Sequence, residues 1–249
     1  MNKVEFGKSD DLEYRINEAY KTLRTNLSFC GDDVKTILLT SCTPNEGKST
    51  IAFRLSQALA EDGKKVMLID ADLRKSVLIG RYGVTGEHKI EGLSHYLSGQ
   101  SKLDDVMCET NIENMHVIFA GPSVPNPTEL IGNSYFADMI NTLKEQYDYI
   151  IIDAPPLGSV IDAAILTKVC DGSILVIEND VISYRFAQGV KKQLELTDCK
   201  IIGVILNKYD IYGKGKYKGY YSGYYRKRKY KGYGMYGRYG NYGEYSSDK

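Results

Sequence analysis

Short continuous apolar runs alternate with longer stretches whose apolar positions recur every three or four residues, and this alternation persists to about residue 211. The runs at 36–41, 65–70, 115–120, 149–153, 172–177 and 201–206 are rich in β-branched residues and nearly free of polar interruption. Such runs predict strands buried on both faces. The intervening periodicity predicts helices over 10–28, 49–62, 92–97, 134–146, 160–169 and 183–195. Strands and helices in alternation describe βα units around a parallel sheet sandwiched by helices, an α/β fold. No internal repeat is visible.

Composition narrows this picture. The 249 residues are 43% hydrophobic and 26% charged, values of a globular chain, and no apolar run approaches the roughly 18 residues that span a bilayer. The start, MNKVEFGKSDD, has no apolar stretch behind a basic leader and does not read as a secretory signal. Cys30, Cys42, Cys108, Cys170 and Cys199 are odd in number and widely spaced, which suggests neither a disulfide framework nor a zinc site. A cytoplasmic, reducing setting is expected.

The formal net charge of zero divides unevenly. Residues 212–249 hold ten basic and two acidic residues, a net of +8, so the remaining 211 carry −8. Twelve of the 21 tyrosines lie in this segment, with nine glycines and no Val, Ile, Leu or Phe. Without aliphatic side chains it cannot bury enough surface to offset its ordering entropy. We therefore expect a folded domain over 1–211 and a flexible Tyr/Gly/Lys-rich tail over 212–249, with an end-to-end distance of about 34 Å.

Candidate chemistry is concentrated in three segments. In TILLTSCTPNEGKST a strand runs into a turn formed by Thr43, Pro44, Asn45, Glu46 and Gly47, followed by Lys48, Ser49 and Thr50 at a helix start. This is the arrangement of a phosphate-binding loop. Backbone N–H groups and the helix N-terminus surround the phosphates, a lysine pairs with β/γ oxygens, and a hydroxyl reaches Mg²⁺. Those last two roles fall on Lys48 and Ser49. Cys42 stands where the loop's first glycine is expected. KKVMLIDADLRKS ends a strand in Asp70 and Asp72, and YDYIIIDAPPLGS ends another in Asp153. Ligands of open parallel sheets bind beyond the carboxyl ends of the strands, so the three carboxylates should converge beside the loop. There they offer hard oxygens for Mg²⁺, with Ser49, Asp72 and Asp153 as its candidate ligands, and a base for a phosphate acceptor.

The motifs S-x-T-P-x-E-G-K-S-T, hydrophobic-D-x-D-L-R and hydrophobic-D-x-P-P, in that order, resemble the Walker A, A′ and B motifs of the bacterial tyrosine kinases of capsule and exopolysaccharide synthesis. EAYKTLRTNL is similar to the family's oligomerisation segment and PSVPNPTELI to its proline motif, while the tyrosine-rich C-terminus completes the resemblance. Lys21 and Val124 stand where the family usually has Arg and Pro; a lysine cannot make the bidentate fork of an arginine.

The resemblance implies a P-loop NTPase fold of the deviant-Walker type, ATP and Mg²⁺ as cofactors, and a ring of subunits joined around Glu18, Lys21 and Arg24. It implies autophosphorylation of the tail at Tyr217, Tyr220, Tyr221, Tyr224, Tyr225, Tyr230, Tyr233, Tyr236, Tyr239, Tyr242 and Tyr245. The catalytic set would be Lys48, Asp70, Asp72 and Asp153, with Asp70 as the candidate base. Arg74 would assist at phosphate or at a neighbouring subunit, and Asn207 with Lys208 would contact the base of the nucleotide. The separate-polypeptide, Gram-positive arrangement further implies a membrane-embedded chain-length regulator whose cytoplasmic tail activates the kinase at the inner face of the membrane, and a cognate phosphotyrosine phosphatase.

Two other readings compete. Partitioning and septum-positioning ATPases share the strand order and the Walker motifs, but they carry a second lysine where this chain has Thr43, and they have no use for a tyrosine tail. Aromatics interleaved with basic residues could also bind single-stranded nucleic acid. We expect no nucleic acid partner, because one chain holds both a phosphoryl-transfer site and a cluster of hydroxyl acceptors.

Overall fold

The computed structural model describes residues 1–7 and 14–209; the expected boundary near 211 and the tail lie outside the described residues. The chain begins with strand β1 (Asn2–Glu5) and helix α1 (Tyr14–Ser28), then β2 (Thr36–Ser41), α2 (Lys48–Glu61), β3 (Val66–Asp70) and α3 (Leu78–Tyr82). It continues through β4 (Thr85–Gly86), α4 (Leu93–Leu97), α5 (Leu103–Val106), β5 (Met107–Thr110) and β6 (Met115–Ile118). Helices α6 (Pro127–Ile131) and α7 (Ser134–Lys144), strand β7 (Tyr149–Asp153), helix α8 (Asp162–Leu166), strand β8 (Gly172–Glu178), helix α9 (Tyr184–Glu195) and strand β9 (Ile201–Asn207) follow.

Among the described residues the strands form one sheet in the order β4-β1-β5-β6-β3-β7-β2-β8-β9. From β6 to β9 all neighbours are parallel, as the sequence predicts. At the other edge three strands that the sequence pattern did not announce extend the sheet, with β5 antiparallel to β6 and β4 antiparallel to β1. A four-residue link from Thr110 to Met115 is too short for a crossover helix, so β5 and β6 can pair only as a hairpin. Strands β1, β4 and β5 escape the sequence pattern because they are short and polar, and they acquire partners only through distant pairing.

The period-2 geometry of the central strands supplies both layers of the core. Leu38, Met67, Ile69, Ile150 and Ile152 pack on one face against α4, α6, α7, α8 and α9. Ile37, Leu39, Val66, Leu68 and Ile151 pack on the other against α1, α2 and α3. Burial on both faces is why β2, β3 and β7 read as continuous apolar runs. The helix expected over 160–169 is shorter, because Ser159 and Val160 donate their N–H groups to the Pro156 carbonyl and close a turn first; α8 is then followed by a single 3₁₀ turn. No helix among the described residues is long and apolar enough to cross a membrane.

Helix α2, which carries the phosphate loop's lysine, is held by an aromatic cluster. Phe53 is fully buried, stacks on Tyr82 with centroids 4.0 Å apart, and meets Phe6 at 4.8 Å. Phe53→Ala is expected to cost about 3–5 kcal/mol through lost transfer energy and a residual cavity, with Phe53→Leu costing much less. Urea unfolding checks it; a loss below about 1 kcal/mol would show that the cluster collapses freely and does not anchor the helix.

Candidate active site

Strands β3, β7 and β2 lie side by side, so the loops leaving their carboxyl ends are neighbours in space. Asp70 and Asp153 are direct register partners across β3 and β7. The ladder continues past both strand ends, with Ala71 N–H donating to the Asp153 carbonyl and Ala154 N–H to that of Leu39. Thr40 fixes the following loop: its hydroxyl donates to the Pro155 carbonyl at 2.8 Å and accepts from Leu157 N–H at 3.1 Å. Lys48, the first residue of α2, places its Nζ 3.7 Å from Asp72 Oδ2 and 3.6 Å from Asp153 Oδ1. The sequence-predicted quartet of Lys48, Asp70, Asp72 and Asp153 is brought together and buried.

The loop holds its own shape. Glu46 is buried and its carboxylate accepts from Thr43 N–H, from Thr43 Oγ1 at 3.0 Å and from Glu178 N–H at 2.9 Å. These contacts span the turn and tie it to the end of β8. Gly47 caps α2 at φ +92°, and a Cβ there would sit 2.1 Å from Asn207 Nδ2, so only glycine fits. Asn207 in turn donates to the Glu46 carbonyl at 2.8 Å, and Lys208 donates to the Asn45 carbonyl at 2.8 Å while pairing with Glu178 at 2.7 Å. Both residues expected at the nucleotide's base therefore brace the loop from β9. Cys42, in the place of the usual glycine, is fully buried, and burial with the nearby Glu46 charge pushes its thiol up to about 12.

The electrostatics follow from crowding like charges in a dry place. Burial drags the Lys48 ammonium down, but Asp153, Asp72 and Asp70 outweigh it and the net shift is upward. Asp70 is raised to about 8, first by burial and then by the Asp153 charge, against a hydrogen bond from Ser76 Oγ at 2.5 Å. Burial also raises Asp153, with Lys48 opposing. Its Oδ1 is buried with no hydrogen-bond partner, which suits an oxygen that meets a cation. Among the described residues no three His, Cys, Asp or Glu side chains form a ready metal-binding group. The donors present, Ser49, Asp72 and Asp153, fit an ion such as Mg²⁺ that keeps waters and completes its shell on phosphate oxygens.

The remaining predicted residues are placed differently from one another. Arg74 is engaged by Asp162 in a two-point pair, Nε to Oδ2 at 2.6 Å and Nη2 to Oδ1 at 3.0 Å, with Thr128 bonded to both partners. Thr50 Oγ1 accepts from Arg81 Nη1 at 2.5 Å. On α1, Glu18 and Lys21 pair on the surface at 2.8 Å, while Arg24 reaches α2, donating to the Ala58 carbonyl at 3.1 Å and pairing with Asp62 at 3.3 Å. The eleven proposed acceptor tyrosines lie outside the described residues. Sequence reasoning missed Ser76 on Asp70, Thr40 under the loop after β7, and the Asp162–Thr128 receptor of Arg74. The Arg74–Asp162 contact joins residues 88 apart, and no local signal in the sequence points to it.

Residues 34–208 match the AAA domain family. The chain is 44% identical over 194 residues to a protein named Tyrosine-protein kinase CpsD from Streptococcus agalactiae, covering 78% of this chain and 83% of that one. The kinase domain of the Escherichia coli tyrosine kinase ETK superposes with a TM-score of 0.75 at 29% identity, over 82% of this chain and 79% of that one. The septum site-determining protein MinD of Pyrococcus horikoshii, in complex with Mg-ADP, shares the architecture at a TM-score of 0.61 and 28% identity, over 70% of each chain. The architecture is thus that of a P-loop nucleotide-binding fold, and the chain belongs to the bacterial tyrosine kinases of the capsule type, enzymes that phosphorylate protein tyrosine.

Proposed function

We propose that this kinase transfers the γ-phosphoryl group of ATP to hydroxyls of its C-terminal tyrosine cluster, acting on a neighbouring copy in a ring, and thereby regulates capsular or exopolysaccharide synthesis and export. The observation that carries this reading is the convergence of Lys48 with Asp72 and Asp153, beside an Asp70 whose pKa is about 8. Lys48 and the N–H groups leading into α2 bind the phosphates. Ser49, Asp72 and Asp153 are the residues that would hold Mg²⁺, directly or through water, and the ion would neutralise charge on the β- and γ-phosphate oxygens. A tyrosine oxygen attacks the γ-phosphorus, the bond from that phosphorus to the β-bridging oxygen breaks, and ADP leaves with the electron pair. The phenolic proton passes to Asp70. Ser76 and the Asp72 N–H occupy one lone pair on each Asp70 oxygen, which leaves capacity for the incoming phenol. A base near 8 is closer to a phenol near 10 than an ordinary carboxylate is, so the transfer is less uphill.

Four of these assignments concern partners and place. Glu18, Lys21 and Arg24 recur at helical spacing on α1 and form the seam between subunits. A membrane-embedded regulator supplies an activating cytoplasmic segment, which holds the kinase at the inner membrane face. A phosphotyrosine phosphatase reverses the modification. The rival reading, an ATPase switch, is disfavoured by Thr43 in the place of its second lysine and by the tyrosine-rich tail.

Mixing a Lys48→Met chain that keeps its tail with an active chain truncated after residue 211 tests the reading. Phosphotyrosine should appear on the Lys48→Met tail, and its failure to appear would contradict transfer between copies. Alone, Lys48→Met is expected to lose about 10²–10³-fold or more in rate with unchanged circular dichroism, because it removes a fixed charge aimed at the reacting group.

A base acts deprotonated, so kcat/KM should rise with pH and level off above about 8, the value of Asp70 in the free enzyme. In Asp70→Asn the rate should be low and that limb absent; an activity limb centred near 4 in the wild type would contradict the assignment.

Because Arg24 also ties α1 to α2, the cleaner test of assembly replaces only the exposed Glu18 and Lys21 by Ala. Light scattering should show a shift toward monomer with slower tail phosphorylation; an unchanged mass across the range where wild type assembles would count against the seam.

A further inference from the structure

Charge around the phosphate loop is out of balance in a way that singles out one more residue. Three aspartates surround Lys48, and a bound triphosphate adds further negative charge to the same small, buried region. A divalent ion offsets part of this, and fixed cations are the usual remainder. Two nearby cations are already committed. Arg74 is taken at two points by Asp162, and Lys208 is held by Glu178 and the Asn45 carbonyl.

Arg81 is in a different position. Its hydrogen bond goes to a neutral group, Thr50 Oγ1 at 2.5 Å, in the first turn of α2 immediately after Lys48 and Ser49. Among the described residues no carboxylate pairs with it within 4.0 Å. The placement is built in: Arg81 belongs to α3, which follows the loop from Asp70 to Ser76, and the next residue, Tyr82, stacks on Phe53 of α2 at 4.0 Å. The guanidinium is thereby held against the end of α2 where phosphate binds. A guanidinium has five donors, and the Thr50 bond uses one.

We propose that Arg81 is a second phosphate-binding cation of this kinase, seated on Thr50 and turning its remaining donors to a phosphate oxygen of the bound nucleotide. The inference rests on the reading of the loop as the ATP site and extends it to a residue outside the three motifs. It makes Thr50 a seat for a charged group, and it gives the site a positive charge supplied by its own subunit.

The test measures binding of ADP with Mg²⁺ to the full chain by calorimetry. Arg81→Gln keeps an N–H for Thr50 and removes the charge; Arg81→Lys keeps the charge; Thr50→Val removes the seat. Lys75→Ala, at an exposed position on the same loop, controls for a general loss of positive charge. Arg81→Gln should weaken ADP by about tenfold at low salt, as expected for a lost charge-assisted contact, and by less at high salt. Arg81→Lys should stay within about threefold and Thr50→Val should lose about threefold, while Lys75→Ala should change affinity by less than about twofold. Arg81→Gln should also raise KM for ATP far more than it lowers kcat. Wild-type ADP affinity in Arg81→Gln, an equal loss in Lys75→Ala, or a defect in kcat with KM unchanged would each overturn the proposal. Should Arg81→Gln fold poorly, a wild-type affinity in Thr50→Val overturns it by itself. A wild-type chain that binds no ADP would instead sink the reading of the loop, a result separable from all of these.

Discussion

Three carboxylates and one lysine share a water-poor space at the ends of adjacent strands, and the surrounding structure is arranged around the cost of keeping them there. Removing like charges from water is unfavourable by several kcal/mol per ion unless partners compensate. Here the compensation is incomplete. Lys48 serves two aspartates at distances beyond an ordinary hydrogen bond, Asp153 Oδ1 has no hydrogen-bond donor, and Asp70 is pushed far above the carboxylate range. A site left short of positive charge is prepared for a ligand that brings a cation, and an aspartate held near neutrality is prepared to take a proton.

Rigidity around this cluster comes from contacts that carry no chemistry of their own. Thr40 pins the segment after β7, Glu46 spans the phosphate loop from inside, Asn207 closes over Gly47, and Phe53 with Tyr82 fixes α2 against α3. Each comes from a different strand or helix, and all meet at one end of the sheet. The register partnership of Asp70 and Asp153 could not survive a one-residue slip, since the side chains would turn to the opposite face. Strand order and register therefore set the geometry of the cluster as much as the identity of its residues does.

Much of this was legible in the chain. Doubly buried strands announce themselves as uninterrupted apolar runs, and all six expected strands formed, β2 and β7 with the bounds read from sequence. The motifs pointed to Lys48 and Ser49 at a helix start and to Asp70, Asp72 and Asp153 at strand ends, and the structure brings Lys48 and the three aspartates together. What escaped was non-local. Strands β1, β4 and β5 have little apolar content and exist only because distant segments offer edges to pair with. The Arg74–Asp162 pair joins residues 88 apart, and no local pattern forecasts it. Arg81 was invisible because its meaning depends on α3 lying beside the start of α2. The sequence offers Arg74 to a phosphate or to a neighbouring subunit and does not show its pairing with Asp162, because a sequence lists charges without saying which already have partners.

The central claim is that this cluster sends phosphate to tyrosine and not to water. The most direct measurement follows the purified full-length chain through its first turnover with ATP and Mg²⁺, counting phosphotyrosine by mass spectrometry against inorganic phosphate released. Phosphotyrosine within residues 212–249 that accounts for most of the ATP consumed is the predicted result. Stoichiometric release of inorganic phosphate with an unmodified tail would contradict it and would make the same three aspartates the machinery of an ATPase switch.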